Sequence, residues 1–144
     1  MSSFDESDCS VLRITEILGK KWIIFILSEL IHSNELFFKD LQDRLYSKTR
    51  EKISARILSL SLKTLENELI IEREVEESTR RVKYSLTTKG KELEIVLSLL
   101  KGWSIKWNEL KFKQCKTFSC VHDAVPILYI DKIIDIYPSL IEKK

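Results

Sequence analysis

The chain has 144 residues, 44% of them hydrophobic and 32% charged, and its formal net charge is +2. This length predicts one domain with a single core and room for a small appendage. The longest uninterrupted apolar run, residues 22–27, is far shorter than the about 20 residues that cross a bilayer, and the acidic, polar N-terminus does not resemble a secretory signal. These features exclude a membrane partner and predict a cytoplasmic protein.

The first half of the chain reads as three helices. Residues 11–18 carry apolar side chains at helical spacing and predict a first helix, which Gly19 interrupts. The strongly apolar segment 22–31 predicts a buried second helix, and residues 37–45 predict a third, shorter one. A polar, basic stretch, residues 47–52, follows and predicts a connection to the next helix.

A fourth helix is predicted from Ile53 to about Asn67. One face is predicted to pack in the core; it carries Ser54, Leu58, Leu62, Leu65 and Leu69. The opposite face is polar without being acidic, which is unusual in a chain so rich in glutamate; it carries Arg56, Ser59, Leu60, Lys63 and Asn67.

The pattern then changes from helical to alternating. Residues 70–75 and 82–86 are rich in β-branched side chains and predict a two-stranded hairpin with a charged tip between them. The Thr87 hydroxyl is predicted to cap a last, long amphipathic helix. The apolar side chains of that helix recur at three- and four-residue spacing; they are Leu93, Val96, Leu97, Leu100, Trp103 and Trp107. Residues 113–144 read as an extension, a loop followed by a helix over about 126–137.

The predicted fold class is mainly α with a small β-hairpin (α+β). The order of helices and hairpin is that of a winged helix-turn-helix, in which the fourth helix enters a DNA major groove and the hairpin tip reaches a neighbouring phosphate or minor groove. The same fold is also built by proteins that bind no DNA. A protein-interaction module therefore stays open as an alternative.

Several motifs in one order carry a family resemblance. The segment from Cys9 to Trp22 is similar to a Cys-Pro-Val-x-Arg and Gly-Gly-Lys-Trp signature at the same spacing, and residues 37–41 are similar to a Phe-x-Glu-Leu element. Residues 53–66 and 71–90 match a recognition helix and wing. Together these motifs resemble the HxlR-type (DUF24) transcriptional regulators over residues 9–110.

The resemblance implies a sequence-specific regulator that binds double-stranded DNA at a palindromic operator as a homodimer, with no cofactor. It assigns residues 1–112 to a winged-helix DNA-binding and dimerisation domain, and 113–144 to an extension packed on the dimer. Three positions depart from the family: Leu60 replaces a polar residue, Ser61 an arginine and Leu69 a glycine. We expect the fourth helix to end without a left-handed cap, and Leu60 to touch either a thymine methyl group or a protein partner.

The residues predicted to contact DNA lie on the fourth helix, on its approach and at the hairpin tip. Arginine and lysine donate to guanine edges or phosphates, and serine donates to phosphate oxygens. For any one of them the alternative is an ordinary solvated side chain. The set comprises Lys48, Arg50, Lys52, Ser54, Arg56, Ser59, Leu60, Lys63, Arg80 and Arg81.

The three cysteines, an odd number, argue against a disulfide scaffold. The resemblance implies that Cys9 senses electrophiles or oxidants. Arg13, one helical turn on, would favour the reactive thiolate, whereas the acidic residues at 5, 6 and 8 would oppose it. A small cysteine packed beneath the dimer helices is the alternative. The spacing of Cys115, Cys120 and His122 lacks a fourth ligand, so packing or a reversible disulfide is favoured over a metal site.

The last helix is predicted to make the dimer. Trp103 and Trp107 are too large to leave in water, and with Val96 and Leu100 they predict a contact with a symmetry mate, alongside residues 1–20. Catalysis finds no support, because the chain has two histidines, no glycine-rich phosphate loop and no recognisable nucleophile arrangement.

Overall fold

The computed structural model describes residues 9–107, apart from the side chains of residues 101, 102 and 104–106. The elements follow in the order α1 Ser10–Leu18, α2 Ile23–Ser33, β1 Glu35–Phe37, α3 Phe38–Thr49, α4 Ala55–Asn67, β2 Ile71–Val75, β3 Val82–Leu86 and α5 Thr88–Lys106. None of these helices is both long and apolar enough to cross a bilayer. The predicted extension, with Cys115, Cys120 and His122, lies outside the described residues.

The sheet has three antiparallel strands in the order β1-β3-β2. Tyr84 of β3 lies opposite Leu36 of β1 on one side and Arg73 of β2 on the other. The predicted hairpin is confirmed, but the strand β1 was not predicted. A strand of three residues between two helices is too short to show the alternation on which strand prediction depends.

Helices α2, α3 and α4 enclose the core. The predicted inner face of α4 is confirmed at three of its four leucines, and the predicted outer face is exposed throughout. The α3 prediction was wrong in length, because the helix extends to Thr49 and is longer than α2. The most deeply buried side chains of these helices are Ile23, Ile26, Leu27, Leu30, Leu41, Leu45, Leu58, Leu62 and Leu65.

The end of α4 differs from the prediction. Leu69 has a φ of 59° and is 67% exposed, so it caps the helix in the left-handed conformation instead of packing in the core. The Leu69 amide donates to the Glu66 carbonyl (2.9 Å), and the Ile70 amide donates to the Leu65 carbonyl (3.0 Å). These are the two hydrogen bonds of a Schellman motif, with Ile70 buried against the helix. The motif therefore forms without its usual glycine.

The beginning of α5 is fixed against the end of α4. The Thr87 hydroxyl accepts a hydrogen bond from the Gly90 amide (3.1 Å), which confirms the predicted cap. The same hydroxyl donates to the Leu69 carbonyl. A Cβ atom on Gly90 would lie 2.0 Å from the Ile70 carbonyl oxygen. Only glycine therefore allows α5 to approach the base of the hairpin this closely.

Candidate nucleic-acid interface

Helices α3 and α4 are joined by a tight turn over residues 50–54. Arg50 ends α3 with a φ of 62°, and its amide donates to the carbonyl four residues earlier (2.8 Å). Ser54 caps α4, because its Oγ accepts from the amide three residues later (3.1 Å). Gln42 Nε2 donates to the carbonyl of buried Ile53 (3.1 Å). These contacts set α4 at a fixed angle to α3, as in a helix-turn-helix.

The outer face of α4 is accessible over its whole length. Ser54, Arg56, Ser59, Leu60 and Lys63 are exposed, and the first turn carries no acidic side chain. The N-terminal end of a helix attracts anions through its unsatisfied amides and its dipole. Phosphate can therefore approach this end of α4 without meeting a carboxylate on the same turn.

Four of the predicted DNA contacts are cations without a partner inside residues 9–107. The side chains of Arg50, Lys52, Arg56 and Arg80 make no hydrogen bond or ion pair there, and all four are exposed. Lys63 is only weakly engaged, since its Nζ lies 3.5 Å from a carboxylate oxygen of Glu66. These side chains are free to bind an external anion.

Lys48 is placed differently from the other predicted contacts. Its Nζ lies 2.5 Å from Oε1 of Glu29, a residue of α2 that is only 1% exposed. Arg44 of α3 lies 3.7 Å from the other carboxylate oxygen and donates to Ser33. Lys48 thus compensates a buried charge. Sequence reasoning missed Glu29, although a lone acidic residue inside an apolar run is a usable sign of a buried ion pair.

The hairpin tip presents one of its two arginines. Arg80 has a φ of 60°, and its amide donates to the Glu76 carbonyl (2.8 Å), while the Glu76 amide donates to the Arg81 carbonyl (2.8 Å). Arg81 lies over the Phe37 ring, with its guanidinium carbon 3.8 Å from the ring centroid, and 3.6 Å from a carboxylate oxygen of Asp40. Of these two arginines, only Arg80 has a side chain without a partner among the described residues.

The outer face of the sheet is acidic. Lys83 of β3 lies between Glu35 of β1 (3.5 Å) and Glu74 of β2 (3.6 Å), and the negative charge of Glu35, followed by that of Glu74, raises the pKa of Lys83. Ser85 donates to Glu72 on the same face (3.4 Å). Carboxylates outnumber cations here, so this face is unfavourable for phosphate, whereas the tip carries Arg80 together with Glu76 and Glu77.

Cys9 precedes α1 as a half-buried free thiol. Arg13, which the sequence placed near it, has its own partner, because its Nε donates to a carboxylate oxygen of Glu68 at 2.6 Å. Within residues 9–107, no group of histidine, cysteine and acidic side chains is arranged to hold a metal ion.

A second exposed surface is apolar. The four predicted dimerisation residues are all exposed in the single chain, with Trp103 at 65% and Trp107, which directly follows the end of α5, at 56%. Val11 and Leu12 of α1 are exposed as well, as is Leu99 of α5. Such a quantity of apolar surface marks an interaction surface. We call this surface the apolar stripe; it consists of Val11, Leu12, Val96, Leu99, Leu100, Trp103 and Trp107.

The three helices α2–α4 and the hairpin define the chain as a winged helix-turn-helix protein. Its residues 17–112 match the model of the HxlR-like helix-turn-helix family, and the chain belongs to that family. It is 35% identical over 109 residues to the HTH-type transcriptional regulator YdeP of Bacillus subtilis, covering 75% of this chain and 80% of YdeP. The chain is thus a transcriptional regulator of the HxlR type.

Two solved structures agree with this assignment. The reduced form of the transcriptional regulator YodB from B. subtilis is 30% identical, with a TM-score of 0.61, over 72% of this chain and 98% of YodB. The redox regulator HypR in its reduced form is 26% identical, with a TM-score of 0.59, over 71% of this chain and 96% of HypR. Oxidised HypR and diamide-treated YodB also match.

Proposed function

We propose that this regulator binds double-stranded DNA sequence-specifically at a palindromic operator, as a homodimer, in the cytoplasm, and without catalysis or a cofactor. The unpartnered cations on and beside α4 carry this proposal. Lys83 of the sheet lies between two glutamates, whereas Arg50, Lys52 and Arg56 around α4 have no acidic partner among the described residues. A concentration of unneutralised positive charge is the electrostatic footprint of a DNA-binding surface.

In this proposal α4 lies in the major groove. Arg56 donates to a guanine edge, Lys63 donates to a base edge or phosphate, and Ser59 donates to a phosphate oxygen. Leu60, 55% exposed at the centre of the same face, packs on a thymine methyl group. Leu60 is flanked by Arg56, Ser59 and Lys63 and also by the exposed Ile57, so a contact to a protein partner stays the alternative for this part of the face.

The flanking cations hold α4 in register on the duplex. Arg50 and Lys52 contact phosphates beside the turn, with Ser54 at the helix N-terminus, and Arg80 reaches a phosphate or the minor groove from the wing. Lys48 keeps N–H donors beyond the one directed at Glu29, so its phosphate contact stays a prediction. The acidic sheet face supports this orientation, since it would repel a DNA backbone laid across that face.

The apolar stripe supports a two-fold dimer through residues 1–20 and 88–113. Pairing two stripes would remove Trp103 and Trp107 from water and set two α4 helices about one DNA turn, or 34 Å, apart. Size-exclusion chromatography with light scattering should give a dimer, and Trp103→Glu with Trp107→Glu should give a monomer that binds operator weakly.

Thiol chemistry at Cys9 is a second proposal. YodB and HypR, described as reduced, oxidised or diamide-treated, share the fold, and Cys9 stands at the start of α1 beside the stripe. We infer that modification of this thiol changes operator affinity through the dimer. Operator affinity is measured after diamide treatment, and mass spectrometry confirms that the thiol is modified. Unchanged affinity would reject this proposal. The control is Cys9→Ser.

A salt titration tests the main proposal. Binding is measured by fluorescence anisotropy on random-sequence duplexes and on a duplex selected from a random library. A dimer in which each subunit places about four cations on phosphates should give a log–log slope of about −7. The selected duplex should bind more tightly than the random one at every salt concentration. No binding at low salt would reject DNA recognition and leave the protein-interaction module.

A further inference from the structure

One side chain joins the wing to the helix-turn-helix. Arg81 stands directly before β3, and it touches Phe37, the last residue of β1, and Asp40, in the first turn of α3. A single guanidinium thus bridges three elements. Because α3 is itself tied to α4 through Gln42 and the turn, the contact links the wing to the proposed reading helix.

The two contacts use both recognition surfaces of the guanidinium. Its guanidinium carbon lies over the ring of Phe37, and Asp40 attracts its N–H donors. The Asp40 carboxylate would also repel a phosphate brought to the same place. Arg81 is therefore poorly suited to bind DNA, although its sequence position beside Arg80 predicts the same role for both.

Arg80 depends on where Arg81 is held. The two residues are consecutive, and Arg80 takes a left-handed conformation at the tip, closed by the hydrogen bonds between Glu76 and the two arginines. A wing tip held at one angle to α4 can place its arginine on the duplex while α4 occupies the groove. A tip that swings would lose conformational freedom on binding, which weakens affinity.

We infer that Arg81 is a positioning residue that fixes the wing against β1 and α3, and that Arg80 alone supplies the wing's contact to DNA. This inference rests on the DNA binding proposed above. It assigns Asp40 and Phe37, which cannot themselves donate to a phosphate, a measurable part in DNA affinity.

Two explanations of Asp40, a purely electrostatic effect on DNA and a role in holding Arg81, predict opposite changes in DNA affinity for the variant Asp40→Asn. If only charge matters, removal of a carboxylate near the DNA strengthens binding. If Asp40 holds Arg81 in place, binding to the selected duplex weakens by about threefold to tenfold, the range expected from loss of an exposed ion pair and part of a cation–π contact. Asp43→Asn is the matched control, because Asp43 lies on the same helix and pairs with Lys39 (3.1 Å), not with Arg81.

Two further measurements separate positioning from general damage to the fold. Phe37→Leu should weaken binding to a similar extent, and in both variants the salt dependence should decrease in magnitude by about 0.9 per lost phosphate contact, as for Arg80→Ala. In an Arg80→Ala background neither variant should weaken binding further. Thermal unfolding identifies any variant that is not folded at the assay temperature. Such a variant is replaced in the binding experiments by Arg81→Gln.

The outcomes are decisive in both directions. Weaker binding by Asp40→Asn, unchanged or tighter binding by Asp43→Asn, and no additional loss in the Arg80→Ala background support the inference. Unchanged or tighter binding by Asp40→Asn, or additive losses from Arg80→Ala and Arg81→Ala, would overturn it and return Arg81 to the DNA surface. Absence of DNA binding by the unaltered protein would instead reject the proposed function.

Discussion

Most cations around α4 lack a partner, whereas Arg81 and Lys83 of the hairpin are held by neighbouring side chains. Around α4, Arg50, Lys52 and Arg56 have no partner among residues 9–107. In the sheet, Lys83 is held between two glutamates and Arg81 between an aromatic ring and a carboxylate. Exposed cations of similar appearance in the sequence therefore divide into those that hold the domain together and those available to a ligand. We expect the second group to supply most of the direct contacts to DNA.

The largest expected effect separates two lysines of the same basic stretch. Lys48→Met leaves the buried Glu29 with only the more distant Arg44, so the free energy of unfolding should fall by about 3 kcal/mol, as for a broken buried ion pair. Lys52→Met should leave stability unchanged and weaken DNA binding.

Urea denaturation and anisotropy titration on both variants check this pair. If the free energy of unfolding fell equally in both variants, the ion pair of Lys48 with Glu29 would not be the cause of the loss.

The next effect concerns α4 alone. Arg56→Ala should weaken binding to the selected duplex by about 1–3 kcal/mol and relax the preference at one base pair of each half-site, because an arginine that donates to a guanine edge distinguishes it from other bases. Selection from a random library with the variant measures the preference. Equal weakening on all sequences would make Arg56 a phosphate contact, and Arg73→Ala on β2 serves as a control away from α4.

A substitution at Leu69, between α4 and the hairpin, should raise stability instead of lowering it. Leu69 adopts a positive φ that costs an L-residue about 1–2 kcal/mol, so Leu69→Gly should raise the free energy of unfolding by about 1 kcal/mol after the larger entropy of glycine in the unfolded chain is subtracted. DNA affinity should not change. A loss of stability would mean that the exposed leucine side chain makes contacts outside the described residues.

The smallest effect tests the apolar centre of the reading face. If Leu60 packs on a thymine methyl, replacement of that thymine by uracil in the selected duplex should weaken binding by about fourfold, the equivalent of one buried methyl group at about 0.8 kcal/mol. The Leu60→Ala variant should bind the two duplexes equally. A variant that still distinguishes them would move the methyl contact to another residue.

Sequence reasoning recovered the elements whose signals are local. The hairpin, the polar face of α4 and the Thr87 cap each follow from the spacing or chemistry of neighbouring residues, and each is confirmed. The left-handed end of α4 was missed, because the hydrogen bonds and the burial of Ile70 outweigh the preference of leucine against a positive φ.

The candidate site was recovered less completely than the fold. The sequence ranked Lys48 with Lys52 and Arg81 with Arg80, since nothing in the local pattern distinguishes the members of either pair. The distinction comes from Glu29, Phe37 and Asp40, which are distant in the chain and close in space. Tertiary contacts of this kind decide which surface charges are available, and single-sequence patterns do not record them.

The close approach at Gly90 has a mechanical consequence. With its Cα position pressed against the Ile70 carbonyl, and with Lys89 donating to the Glu68 carbonyl (2.7 Å), the first turn of α5 and the last turn of α4 form a joint without clearance. In the proposed dimer, a change in the angle at which two α5 helices cross would therefore be passed to the adjoining end of α4. The crossing angle would in this way set the separation of the two α4 helices, and with it the spacing of half-sites that the dimer could bind.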